Sequence, residues 1–388
     1  MSTELRIIKP VNGHVVLKQV EESEQMVGNI FLPDLGKEKS LIAEVVDVSS
    51  TFNFHMDSYK SPEMNVGDLV LVPRMGSQVI SVDGEDFIVC KETDIIGISM
   101  PVTKWNYQIT KASEIPEIFA KAFYIAKSGR PGPVLIDITK DAQFELFDFE
   151  YSKCKGIRSY NPLPTISNDS IDNASKLINN AKKPLIVWGQ GVILGNAEKE
   201  FKDFVEKSGI PAAWTILGLS ALPTSHDLNV GMVGMHGNYG PNILTNKCDL
   251  LIAVGMRFDD RVTGDPKTYA SQAKIIHLDI DPAEINKNII ADVPVIGDCK
   301  DSLKRITNKI EKKSHSKWIS KFDDLMKIEF EKVIKSDLNP LKDGLTMGES
   351  IIAINEFTNG DAIIVTDVGQ HQMVACRYAN FVKSKSNI

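Results

Sequence analysis

Cysteine is scarce in this chain, and the few present do not cluster. Cys90, Cys154, Cys248, Cys299 and Cys376 form an odd set with no CxxC and no Cys/His grouping. That argues against a disulfide framework and a cysteine-held metal, and predicts reduced thiols packed as small apolar residues in a cytoplasmic protein. Long hydrophobic runs are also missing: no stretch approaches the ~20 apolar residues of a membrane span, so no membrane role is expected. A basic surplus is missing too. Lys and Arg number 44 against 51 Asp and Glu, a net charge of −7, which opposes binding to nucleic-acid phosphates by bulk charge. The opening MSTELRIIKP lacks an apolar core, so no secretory signal is expected.

What is there suffices for a core. The 388 residues are 43% hydrophobic and 24% charged, which at roughly 100–200 residues per domain predicts two or three domains. Two rhythms divide them. Up to about residue 90, short alternating or apolar runs at 5–9, 14–20, 43–48, 69–72, 78–82 and 87–89 read as strands. Asn12-Gly13, Gly67-Asp68 and Asp83-Gly84 punctuate them as turns. This spacing predicts a small all-β barrel or sandwich. Residues 21–28 and 49–65 are long polar connections, and the first leads into the apolar Ile30, Phe31 and Leu32. Those three are either the next strand or the tip of a loop that docks on a partner.

Beyond about residue 100 the pattern changes to helices alternating with strands apolar on both faces. Ser113 is placed to cap a helix carrying Ile115, Ile118, Phe119, Ala122, Phe123 and Ala126. Strands are expected at 134–138, 184–188, 211–215, 250–254, 274–279, 293–296 and 362–366. Helices are expected around 171–181, 197–207 and 349–357. The Lys-rich 300–345 stretch reads as helical, with Trp318, Phe322, Leu325, Ile328 and Phe330 as candidate buried positions. The class is α/β with a doubly wound parallel sheet.

Chemistry-bearing residues follow these strands. Gly189-Gln-Gly191 after 184–188 is either a phosphate-approaching turn or simply a tight one. RFDDRVTG at 257–264 sets two arginines among two aspartates, which suits a diphosphate clamp or a surface ion-pair network. Asp279 and Asp281 end the next strand, where carboxylates accept from a nucleotide ribose or cap a helix. Gly234-Met-His-Gly237 is a further glycine-bounded loop.

Two resemblances refine this reading. IIKPVNGHVVLKQVEE, GNIFLPD, KEKSLIAEVVDV, NVGDLVLVPR and VDGEDFIVCKETDI resemble the GroES-type co-chaperonin family in order along its length. The resemblance implies a heptameric ring and a chaperonin-binding tripeptide, Ile30, Phe31 and Leu32. From about residue 92 onward the chain resembles the acetolactate synthase large subunit, a thiamine-diphosphate enzyme family. The matching text includes SGRPGPVLIDITKDAQ, WTILGLSALP, VGMVGMHGNYGPN, AVGMRFDDRVTGD, IIHLDIDPAEI and VTDVGQHQMVACRYANF.

That second resemblance implies FAD contacts at Arg158, Gly189, Gly191, Thr215, Leu217, Gly234, Met235, His236, Gly255, Arg257, Asp259, Arg261, Asp279, Asp281 and Asp298. It also implies a second-substrate contact at Arg261, and thiamine diphosphate against Val368, Gly369, Gln370 and His371. Two-oxo acids such as pyruvate are the implied substrates, and a homo-oligomer the implied assembly. FAD is expected to be structural. The glutamate that promotes ylid formation and the motif that holds Mg²⁺ match nothing in these 388 residues.

The expected domains are a GroES-like barrel at 1–91, the end of a pyrimidine-type domain and linker at 92–164, and a central FAD-binding domain at 165–310. A helical linker at 311–345 and a truncated diphosphate-binding start at 346–388 follow. The KETDIIGIS stretch at 91–99 fits both families, as a genuine fusion or an assembly artefact would. Three functions compete: an acetolactate synthase fragment inactive alone, a co-chaperonin, and a chimera with no joint role.

Overall fold

The computed structural model describes residues 10, 14–19, 41–49, 51–53, 58–60, 66–67, 69–72, 78–82, 85–91, 102–339 and 344–387. The chain divides into two compact units, Met1–Tyr160 and Asn161–Ile388.

In the first unit the strands are β1 (His14–Gln19), β2 (Leu41–Val48), β3 (Thr51–Asn53), β4 (Ser58–Lys60), β5 (Leu69–Val72), β6 (Gln78–Val82) and β7 (Glu85–Lys91). Five of them form an antiparallel sheet in the order β5-β2-β1-β7-β6. Alternation places Val15 and Leu17 of β1, Ala43 and Val45 of β2 and Ile88 of β7 in one buried cluster. Strands β3 and β4 pair within the stretch expected to be a polar connection, with Phe52 opposite Tyr59. The expected strand at 5–9 and the tripeptide Ile30, Phe31 and Leu32 lie outside the described residues.

The same unit ends in β8 (Trp105–Ile109), α1 (Ile115–Lys127), β9 (Val134–Ile138) and α2 (Lys140–Phe144). Strands β8 and β9 are parallel, with α1 between them in sequence, a βαβ crossover. Ser113 does not cap α1. Residues 112–114 make a 3₁₀ turn, and α1 starts without a side-chain cap. Pro116 in its first turn has no N–H to leave unsatisfied.

The second unit contains α3 (Asn168–Asn180), β10 (Pro184–Trp188), α4 (Gly191–Leu194), α5 (Glu198–Ser208), β11 (Ala212–Trp214), β12 (Asn229–Met232), α6 (Tyr239–Thr245) and β13 (Leu250–Val254). It continues through α7 (Asp260–Thr263), β14 (Lys274–Asp279), β15 (Val293–Ile296), α8 (Cys299–Lys309), α9 (Ser316–Glu329), α10 (Lys335–Leu338), α11 (Met347–Thr358) and α12 (Gln370–Tyr378). Six parallel strands form its sheet in the order β12-β11-β10-β13-β14-β15. Every residue of β10 and β13 is buried, as strands covered on both faces require. One face packs Ile186 and Trp188 with α3, α5 and α8 through Ile171, Phe201, Phe204 and Leu303. The other packs Leu185 and Val187 with Leu244 of α6 and Trp318 and Phe322 of α9.

Several expectations need correction. Residues 362–366 form no strand; Ile364 makes one parallel bridge to Asn387, and Ile363 and Val365 are exposed. Ile328 and Phe330 are exposed rather than buried. The buried stripe of the helix runs through Trp318, Phe322 and Glu329, so Ile328 and Phe330 fall on either side of it, and a π-helical turn follows at Phe330–Ile334. Cys248, Cys299 and Cys376 are buried free thiols, and burial raises the pKa of each, that of Cys376 to about 11. Among the described residues no helix is long and apolar enough to cross a membrane.

Candidate functional site

The sheet order places a topological switch between β10 and β13. From β10 the chain winds outward through β11 to β12, then returns to the other side of β10 as β13 and winds through β14 to β15. In such sheets the crevice for a ligand lies at the carboxyl ends of the strands at the switch. The sequence-predicted residues of this unit follow those ends. Gly189 and Gly191 come after β10, and Thr215 and Leu217 after β11. Gly234, Met235 and His236 come after β12, and Gly255, Arg257, Asp259 and Arg261 after β13. Asp279 closes β14, with Asp281 just beyond, and Asp298 follows β15. Residues far apart in sequence thus share one sheet edge.

The glycines have a reason of their own. A Cβ on Gly189 would lie 2.4 Å from the Gly255 carbonyl oxygen, and one on Gly191 would lie 2.6 Å from the Gly255 Cα. The N–H of Gly191 donates to the Gly255 carbonyl at 3.0 Å and that of Gly189 to the Val254 carbonyl at 2.9 Å. Backbone packs directly on backbone across the switch, and these two N–H groups are used inside the protein. The tight-turn reading accounts for both glycines.

The side chains beyond them are available. Arg257 and Arg261 are exposed. Arg257 Nε lies 3.4 Å from Asp259 Oδ2, while Asp259 Oδ1 accepts the Arg261 N–H at 3.1 Å and caps α7. An ion pair and a helix cap therefore order the loop and leave two guanidinium groups at its surface. The Arg261 carbonyl accepts the Met235 N–H at 2.8 Å, which ties the GMHG loop to the RFDD loop. Leu217 and Met235 are exposed apolar residues on the loops that follow β11 and β12. Asp279, Asp281 and Asp298 each accept a backbone N–H from a residue two or three positions on, at 2.9–3.0 Å. Turn and cap duty accounts for one oxygen of each carboxylate.

Two positioning residues were missed by sequence reasoning. His277 of β14 is fully buried, and its Nε2 lies 2.9 Å from the Met256 carbonyl while its ring meets Phe258 edge-on at 4.9 Å. Burial holds its pKa below the ordinary value, with Met256 and Glu284 acting in the opposite sense. Asn288 Nδ2 donates to the Phe258 carbonyl at 2.9 Å. Phe258 itself has φ +51°, a conformation that a bulky residue adopts only when held. A histidine inside an apolar strand was the available signal.

Val368, Gly369, Gln370 and His371 surround the start of α12. No side chain caps it, and Val368, Gln370 and His371 are exposed, so the first N–H groups of the helix have no side-chain acceptor from the cap residue. Arg158 stands in the 157–160 turn of the first unit, whereas the other predicted FAD residues belong to the second. Among the described residues no group of three or more His, Cys, Asp or Glu is placed to hold a metal ion.

Residues 171–306 match the family model described as thiamine pyrophosphate enzyme, central domain, and residues 7–99 match the Chaperonin 10 Kd subunit. The acetolactate synthase large subunit of Corynebacterium glutamicum is 40% identical over 323 residues, covering 82% of this chain and 50% of the relative. The probable acetolactate synthase large subunit of Methanococcus aeolicus is 41% identical over 305 residues, covering 74% and 51%. That of Buchnera aphidicola is 38% identical over 301 residues, covering 76% and 52%. The chain spans about half the length of the curated relatives it matches. Residues 171–306 thus belong to the thiamine pyrophosphate enzyme central-domain family, and residues 7–99 to the Chaperonin 10 Kd subunit family.

Proposed function

We propose that the second unit holds FAD along the carboxyl edge of its sheet and serves as the cofactor-binding core of an acetolactate synthase-type large subunit. The observation that carries this reading is the convergence of the predicted residues on the six strand ends flanking the β10/β13 switch. Their chemistry fits a dinucleotide. Arg257 and Arg261 would meet the diphosphate, Asp279 and Asp281 a polyol or ribose, and Leu217 and Met235 a flat apolar ring. Gly189, Gly191 and Gly255 keep the edge open by packing backbone on backbone. Here FAD is structural, and Arg261 also orients the carboxylate of a second 2-oxo acid. Thiamine diphosphate, held at its diphosphate end by the start of α12, supplies the electron sink for decarboxylating pyruvate. The family's carboxylate for ylid formation and its Mg²⁺ motif match no residues here, so these 388 residues alone are expected to bind flavin without turnover.

The test is the absorbance spectrum of the purified chain after incubation with FAD and gel filtration. Retained flavin near one per chain is expected, with no acetolactate formed from pyruvate. Exchanging Arg257 and Arg261 together for Met is expected to weaken FAD by more than a hundredfold, since two charge-assisted contacts at ~1.5–3 kcal/mol each sum to ~3–6 kcal/mol. Unaltered FAD affinity in that variant would remove the diphosphate assignment.

A second reading concerns the first unit. Its Chaperonin 10 match and antiparallel sheet favour a co-chaperonin lid that binds a chaperonin ring through Ile30, Phe31 and Leu32. Pull-down on a chaperonin ring is expected to retain the chain and to lose it with Ile30→Asp and Leu32→Asp together. Retention of the double variant would count against it.

A further inference from the structure

Glu329 is 5% exposed, a carboxylate at the last position of α9. The π-helical turn begins at the next residue, and such turns are uncommon and concentrate at functional positions. Four groups converge on this carboxylate and its partner. Oε2 accepts the Tyr239 N–H at 2.9 Å, at the start of α6. Oε1 accepts Asn238 Nδ2 at 3.3 Å and lies 3.2 Å from Arg377 Nη1. Arg377 Nη2 in turn donates to the Gly237 carbonyl at 3.3 Å and approaches the His236 carbonyl at 3.5 Å. Arg377 belongs to α12, whose first residue is Gln370. The next residue adds to the anchor at this same end of α12: the Tyr378 hydroxyl donates to Asp337 Oδ2 at 2.6 Å and the Tyr378 carbonyl accepts Asn355 Nδ2 at 2.8 Å.

We propose that Glu329 and Arg377 form a clasp that couples the 234–237 loop to α12, so that a ligand held by one is felt by the other. Both are positioning residues. The coupling rests on the reading of His236 and its neighbours as FAD contacts; the clasp does not. Glu329 is buried while the Arg377 side chain is 19% exposed, so loss of Arg377 leaves a buried carboxylate held only by the Tyr239 N–H and Asn238 Nδ2. The loop and α12 therefore shift together or break the pair. Coupling between two sites is reciprocal: FAD against the loop steadies α12, and a ligand on α12 steadies the loop.

Hydrogen exchange of the full chain, read by mass spectrometry, tests this with FAD as the probe. Without FAD, Arg377→Met and Glu329→Gln are expected to speed exchange of the 235–239 and 370–378 amides about tenfold over wild type. Lys335→Met, which breaks only an exposed pair with Glu331, is expected to leave both unchanged. Arg377→Lys keeps the charge but cannot reproduce the fork, so it preserves the fold and is expected to loosen 235–239. Wild-type exchange at 235–239 in Arg377→Lys and in any folded Met or Gln variant would overturn the clasp. With FAD, added protection is expected at 370–378 in wild type and not in the Arg377 variants. Bound flavin, seen by absorbance, with unchanged exchange at 370–378 would overturn the coupling. No bound flavin would overturn the FAD reading and the coupling that rests on it, while the ligand-free comparison still decides the clasp.

Discussion

Gly255→Ala is expected to cost the second unit about 3–5 kcal/mol, while Gly264→Ala costs about 1–3 kcal/mol. The two glycines share a positive φ, +58° and +59°, and Gly264 combines it with ψ −123°. An alanine at either pays the cost of a backbone conformation that side chains disfavour. Only Gly255 adds a collision. Its Cβ would sit 2.6 Å from Gly191 Cα, 2.9 Å from Gly191 C and 3.1 Å from Gly191 N, whereas at Gly264 nothing lies within 4 Å. The atoms in the way are backbone, and they cannot swing aside as a side chain would. The Gly191 N–H bonds to the Gly255 carbonyl, so moving the turn also breaks that bond. Because a domain of this size is stable by only about 5–15 kcal/mol, the first variant should lose much of that margin. Urea denaturation of both variants checks this. Equal midpoints would show that the backbone contact at the switch carries no energy.

The same contact shows what could be read from the chain and what could not. Strands at 184–188, 250–254, 274–279 and 293–296 form with the bounds their apolar runs imply; in the first two every residue is buried, which leaves no polar position to blur the ends. Gly189 and Gly191 were visible as a glycine pair, but their partner Gly255 lies more than sixty residues on, and only the sheet order brings them together. Residues 362–366 look like a strand by composition, yet a strand needs a neighbour, and Ile364 finds only the single bridge to Asn387. Short β12 was missed because Asn229-Val-Gly-Met232 has too few β-formers for a pattern. At the candidate site, the arginines and aspartates of 257–261 announced themselves by charge. His277 and Asn288, which hold the loop from below, are single polar residues whose role depends on a carbonyl that no local pattern reveals.

Trp188→Ala is expected to destabilise the second unit by about 3–5 kcal/mol, and Trp188→Phe by about 1–3 kcal/mol. Trp188 is fully buried at the carboxyl end of β10, with its ring 5.1 Å from that of Phe201. Alanine removes the ring and leaves a cavity between β10 and α5. Phenylalanine keeps most of the apolar contact but lacks the indole N–H, which donates to the Gly218 carbonyl at 2.7 Å. That carbonyl would then keep only the Ala221 N–H, which it accepts at 3.3 Å. The two variants therefore separate packing from a single hydrogen bond, and equal losses would refute the division. Trp188 also bears on the site. Its carbonyl accepts the Thr215 N–H at 2.9 Å, so both ends of the 215–218 turn hang on this one residue. Trp188→Phe keeps the Thr215 bond and removes the indole's hold on the Gly218 end. Leu217 lies between them, so FAD affinity is expected to fall by about tenfold, the effect of a contact worth ~1.4 kcal/mol. Measured on protein that is still folded at 25 °C, an unchanged FAD affinity would show that Leu217 does not depend on the turn's anchor.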